Sequence, residues 1–210
     1  MKRKGFTLVE VLVSTAIITV VMLVAIGAII TVQDANRKAQ AIRALIDNLH
    51  GAVENMSRKI RTGNTYHCGF YSHGTVIRAQ DCDNGEFGTT FAFNSSDDVA
   101  KSIEKKTEYR LYCSTNTAIA DPLTDGTCPA NYRGTIKYYR EDNFEDAPLI
   151  DPKIYVKSLR FYVHNSSGKG TNATGQPSVL ITIKGEIEIE RIKVKTPFNL
   201  QTTITQYIIN

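Results

Sequence analysis

Between Val11 and Gln33 the chain carries no charged residue, and residues 11–32 read VLVSTAIITVVMLVAIGAIITV. At about 1.5 Å per residue a helix over this stretch would span roughly 33 Å, against a hydrocarbon core of about 30 Å. Past it the pattern becomes amphipathic. Ile42, Leu45, Leu49, Val53, Met56 and Ile60 recur at steps of three and four, while Arg37, Arg43, Asp47, Glu54, Arg58 and Arg61 take the opposite side. Gly63 supplies a stop, with Arg58, Lys59 and Arg61 in the last turns. Taken as one element, residues 6–61 form a helix of about 56 residues, roughly 84 Å long. A break near Gln33 or Gly51 would give two helices instead.

From Asn64 onward the period switches to two. Val179, Ile181, Ile183, Ile187 and Ile189 alternate with polar neighbours, interrupted at Gly185. Ile154 and Val156 begin one alternation; Phe161 and Val163 continue another after a shift at Lys157 and Ser158. Leu200, Thr202, Ile204 and Ile208 mark a last strand, and residues 75–79, 87–94, 109–113 and 135–140 are shorter candidates. Turns are expected at residues 83–85, at Asp125 and Gly126, and across 165–177. About seven short-connected strands predict an antiparallel sheet with the amphipathic half of the helix on its apolar face, an α+β head over residues 62–210.

A composition 42% hydrophobic and 22% charged excludes a wholly disordered chain. The net charge of +4 is unevenly distributed. Lys2, Arg3 and Lys4 precede the apolar run, whereas residues 62–210 hold 16 Lys and Arg against 17 Asp and Glu, a net of −1. A strongly basic nucleic-acid-binding head is therefore not supported, and no nucleic-acid partner is expected.

The apolar run is too long for a cleaved secretory signal, whose apolar stretch is about 7–15 residues. It has no cysteine at its end for a lipoprotein signal. A plain anchor leaves Glu10 unexplained, since a carboxylate at a bilayer centre costs about 2.5–3.5 kcal/mol, though less near the interface. The string Lys4, Gly5, Phe6, Thr7, Leu8, Val9, Glu10, followed by the apolar run, resembles the N-terminal signal of type IV pilins and type II secretion pseudopilins.

That resemblance implies a pilin-like fold. Residues 1–5 would be a cytoplasmic leader, 6–32 the membrane-spanning and filament-core helix, and 33–61 its amphipathic continuation. A prepilin peptidase would cut between Gly5 and Phe6 and methylate the new α-amine of Phe6. Glu10 would pair with the Phe6 amine of a neighbouring subunit, two costly ions offsetting one another only in register. The proline that many major pilins carry within this helix is absent, and Gly27 stands in that neighbourhood. The resemblance further implies a non-enzymatic minor subunit in the bacterial inner membrane, single-pass with its head outside the cytoplasm. It would assemble with other pilins or pseudopilins and serve secretion or pilus assembly. The segment Arg58, Lys59, Ile60, Arg61 and the closing strand through Phe198 and Ile204 are similar to J-type minor pseudopilins.

All four cysteines, Cys68, Cys82, Cys113 and Cys128, fall in the head. Outside the cytoplasm an even count suggests disulfides. Of three connectivities, Cys68–Cys82 with Cys113–Cys128 closes two short, turn-rich loops; the spacings are too wide for a zinc site. Asp81, Asp83 and Glu86 surround a glycine turn without EF-hand spacing. Some pseudopilins bind Ca²⁺ in a head loop, which makes these three a candidate beside the plainer reading of a solvated turn; otherwise no cofactor is expected. His50, His67, His73 and His164 fall in no catalytic motif. A membrane-anchored exported enzyme or ligand-binding domain, including a DNA-uptake subunit, is the alternative, and its site would have to lie in the head.

Overall fold

In the computed structural model one helix, α1 (Leu8–Thr62), runs 55 residues without a break at Gln33, Gly27 or Gly51. The structure describes residues 5, 7–70, 76, 78–82, 85–95, 105–115, 117–140, 143–166, 175–189 and 194–207, the side chains at 143–147, 189 and 194 excepted. The chain divides into two compact units, residues 1–44 and 45–210. In the first, the described part is chiefly helix, and its apolar side chains are exposed, from Leu8 through Val32.

Among its described residues the second unit holds the end of α1 and nine strands. Leu45, Leu49, Ala52, Met56 and Ile60 are its buried stripe, with Val53 half-buried beside them. The helix stops because the backbone must pass close to its neighbour. A Cβ at Gly63 would lie 2.4 Å from Phe93 Cδ2 and 2.9 Å from the Asn94 carbonyl oxygen. The Tyr66 hydroxyl donates to the Ile60 carbonyl at 2.5 Å, and burial pushes its pKa well above the usual phenol range.

The strands fall into two sheets, not one. β1 (Asn64–Cys68), β2 (Thr90–Ser95), β3 (Lys105–Ser114), β4 (Ile119–Ala120), β5 (Arg133–Arg140) and β6 (Asn143–Pro148) make the first, in the order β1-β2-β3-β5-β6 with β4 on β3. β7 (Ile154–His164), β8 (Ser178–Ile189) and β9 (Val194–Thr205) make the second. Every named pair is antiparallel. The shift expected at Lys157 and Ser158 is a β-bulge between Val156 and Ser158 that leaves β7 a single strand.

The expected strand at 75–79 does not form among its described residues, Val76, Arg78 and Ala79. The Asn94 side chain takes both backbone groups of Val76, accepting from its N–H at 2.7 Å and donating to its carbonyl at 2.8 Å. Between the sheets, Phe93 stacks on Phe91 at 5.3 Å and on Tyr109 at 5.9 Å, and Phe91 meets Phe161 of β7 at 5.7 Å. The sheets pass close to one another where β5 meets β7. A Cβ at Gly134 would meet the Val156 carbonyl oxygen at 2.0 Å.

Candidate processing and assembly segment

Helix α1 begins at a definite cap. Thr7 Oγ1 accepts from the Glu10 N–H at 3.3 Å, and the Thr7 carbonyl accepts from the Val11 N–H at 3.3 Å. Thr7 is thus the N-cap and Glu10 lies three residues on, in the first turn, where the helix dipole favours a carboxylate. The Thr-x-x-Glu spacing signals this cap in the sequence. Gly5, before the cap, is exposed with open space where a Cβ would stand. Phe6, the residue expected to become the new N-terminus, lies outside the described residues, as do Lys2, Arg3 and Lys4.

The polar side chains of the run are satisfied within it. Ser14 Oγ donates to the Glu10 carbonyl at 2.7 Å, Thr15 to Leu12 at 3.0 Å, Thr19 to Thr15 at 2.8 Å and Thr31 to Gly27 at 2.9 Å. These bonds matter in an apolar surround, where an unpaired hydroxyl carries a desolvation cost. Glu10 is the exception. Its side chain is exposed and makes no hydrogen bond or ion pair among the described residues. The helix is long and apolar enough to cross a membrane.

In the head, Cys68 is bonded to Cys82 and Cys113 to Cys128, the two short-loop pairings favoured from the spacing. Both loops lie on the edge of β7 that faces away from β8. Cys82 donates to the Val163 carbonyl at 3.1 Å, and Gly88 and Phe161 exchange bonds at 2.8 and 2.9 Å. Leu159 donates to Gly126 at 3.0 Å, and Cys128 to Lys157 at 3.1 Å. The edge that a single continuous sheet would have used is therefore occupied by the disulfide-closed loops and by Gly88.

The acidic turn is only partly in view. Asp81 accepts the Asn165 N–H at 3.1 Å and the Ser166 N–H at 2.6 Å, so both its oxygens serve the end of β7. Asp83 lies outside the described residues, Glu86 is exposed, and no group of three metal-binding side chains occurs among the described residues. His67 is buried, its Nδ1 3.1 Å from the Arg78 carbonyl oxygen; His50 and His164 are exposed, and His73 lies outside the described residues. Glu186 sits between Lys157 at 2.5 Å and Lys195 at 3.3 Å. The hydrogen bond from Lys157 foremost, then that from Lys195, hold its carboxyl below the usual carboxylate range.

Residues 1–30 match the family model of the prokaryotic N-terminal methylation motif. The N-terminal segment is pilin-like. The match covers the residues ahead of the cap, the cap itself and most of the apolar run, and it stops short of the head. No curated protein and no solved structure matches the chain.

Proposed function

We propose that this protein is a structural, non-enzymatic subunit of a pilin-type filament: a minor pseudopilin of type II secretion or a minor pilin. One observation supports this above the rest. The methylation motif coincides with the capped, exposed apolar part of α1, residues 8–32, whose single carboxylate, Glu10, has no partner among the described residues. An isolated anchor has no use for that carboxylate, whereas a neighbour's α-amine in the same apolar surround would compensate it.

In this reading Lys2, Arg3 and Lys4 stay in the cytoplasm by the positive-inside rule, and the head lies beyond the inner membrane. Prepilin peptidase cuts after Gly5, in the uncapped chain just ahead of the helix, and methylates Phe6. The two disulfides suit an oxidising exterior. The J-type pseudopilins are the class that the basic helix end and closing strand resemble. Calcium binding at Asp81, Asp83 and Glu86 belongs to this proposal, with Asp81 using the lone pairs left beside the two amides it accepts.

Glu10→Leu tests the reading. Leucine removes a desolvation cost of up to about 3 kcal/mol, so a plain anchor should insert and work at least as well. In a filament it leaves the neighbour's amine buried alone, at about 3–5 kcal/mol. The expected result is normal processing and membrane residence with loss of cross-linking to the other pilin-like subunits. Normal cross-linking would reduce α1 to a plain anchor.

A further inference from the structure

β9 is the outer strand of its sheet, and the phase of its backbone groups follows from β7. Phe161 exchanges both bonds with Gly88 on the side away from β8. Arg160 and Tyr162 therefore face β8, where they oppose Thr182 and Leu180; Ile181 between those two faces β9, opposite Thr202. The N–H and C=O of Asn199, Gln201, Thr203 and Thr205 consequently point out of the sheet. Gln206 keeps the same phase, its N–H returning to the Pro177 carbonyl at 2.9 Å on the β8 side. No described residue bonds to the outward groups from 199 to 205.

Proteins blunt such edges with prolines, charges and bulges. Here those devices sit at one end, and at the other the outward Tyr207 N–H is taken by the Arg61 carbonyl at 2.7 Å, which leaves residues 199–205 open between them. Pro197 stands at an outward position, where its missing N–H breaks no ladder bond, and Lys195 is held by Glu186. From 199 to 205 the edge is in regular register and carries no charge. Beside it lies a groove of about 400 Å³, whose lining includes Val53, Glu54, Arg58 and Arg61 of α1 and Thr202 and Thr203 of β9. Glu54 already meets Arg58 at 3.4 Å, while the Arg61 guanidinium has no acidic partner among the described residues.

We infer that the β9 edge accepts an extended strand from a different protein chain, one bearing apolar side chains and a carboxylate on the same face. Backbone bonds to residues 199–205 hold the strand, an apolar side chain covers half-buried Val53, and the carboxylate meets Arg61. The inference stands on the head alone and does not rest on the filament reading.

The probes are two capped heptapeptides with threonine at odd positions and valine at positions two and four. One has glutamate at position six and the other lysine. Each is titrated against the full chain in detergent at low salt, and amide exchange is followed along β9. The glutamate peptide should bind roughly tenfold more tightly than the lysine peptide and protect Gln201 and Thr203. Arg61→Glu should reverse the preference. Gln201→Pro, which removes only an outward N–H, should abolish binding with both disulfides intact. Binding of neither peptide, equal binding of both, or protection confined to another surface would overturn the inference. So would self-association of the chain that Gln201→Pro abolishes, since a second copy would then be the occupant.

Discussion

The Glu10 amide donates to the Thr7 hydroxyl at 3.3 Å, and that bond fixes where the long helix starts. It leaves Gly5 outside the helix and the Glu10 carboxylate in its first turn. Loss of such a cap costs about 1 kcal/mol, a factor of about five in local opening. Thr7→Ala should therefore speed amide exchange at Glu10 and Val11 in detergent by about fivefold, and leave the head's amides unchanged. Unchanged exchange at the first turn would remove Thr7 from this role.

The loop closed by Cys113 and Cys128 lays Gly126 and Cys128 on the edge of β7. With a sequence separation of 15, its chain-entropy contribution is about 3 kcal/mol. Replacing both cysteines by alanine should lower the Tm of a head this size by about 6–12 °C. Amide exchange should rise first at Leu159 and Cys128's position, the two bonds the loop makes to β7.

Two glycines should respond oppositely to alanine. A Cβ at Gly134 would stand 2.0 Å from the Val156 carbonyl oxygen and 2.8 Å from Cys128 Sγ, in backbone that cannot yield. Gly134→Ala should cost at least about 3 kcal/mol in thermal or denaturant unfolding. Gly51 lies in α1 with nothing within 4 Å, so Gly51→Ala should stabilise by up to about 1 kcal/mol.

Glu186 gives a pH signature. Its carboxyl is held below the usual range by Lys157 and Lys195, so the unfolded chain binds its proton more readily than the folded one. The stabilisation is present above the ordinary carboxylate pKa and is lost as pH falls through the lowered folded value. Wild type should exceed Glu186→Gln in stability at neutral pH, and the gap should close on acidification. A gap independent of pH would mean that the lysines contribute through packing alone.

Much of this was legible along the chain. The unbroken helix followed from uninterrupted spacing through Gly27 and Gly51, and the bulge from the phase shift at Lys157. Of the expected stripe Leu45, Leu49, Met56 and Ile60 are buried, Ile42 and Val53 are only half-buried, and buried Ala52 was too small to signal itself. The division into two sheets was not legible, because it depends on bonds such as Gly88 to Phe161, whose partners lie far apart in sequence. β6 escaped because its segment, NFEDAP, lacks alternation, and the strand expected near Val76 was displaced by one side chain, Asn94. Thr7 was legible from its spacing to Glu10, but the long apolar run dominated the reading of that segment.

Prepilin-type processing is tested most directly by intact-mass and N-terminal peptide analysis of the native membrane protein. The expected chain begins at Phe6 and is one methyl group heavier than the bare sequence from that residue. A chain that still begins at Met1, or one cut after Gly27, would contradict it.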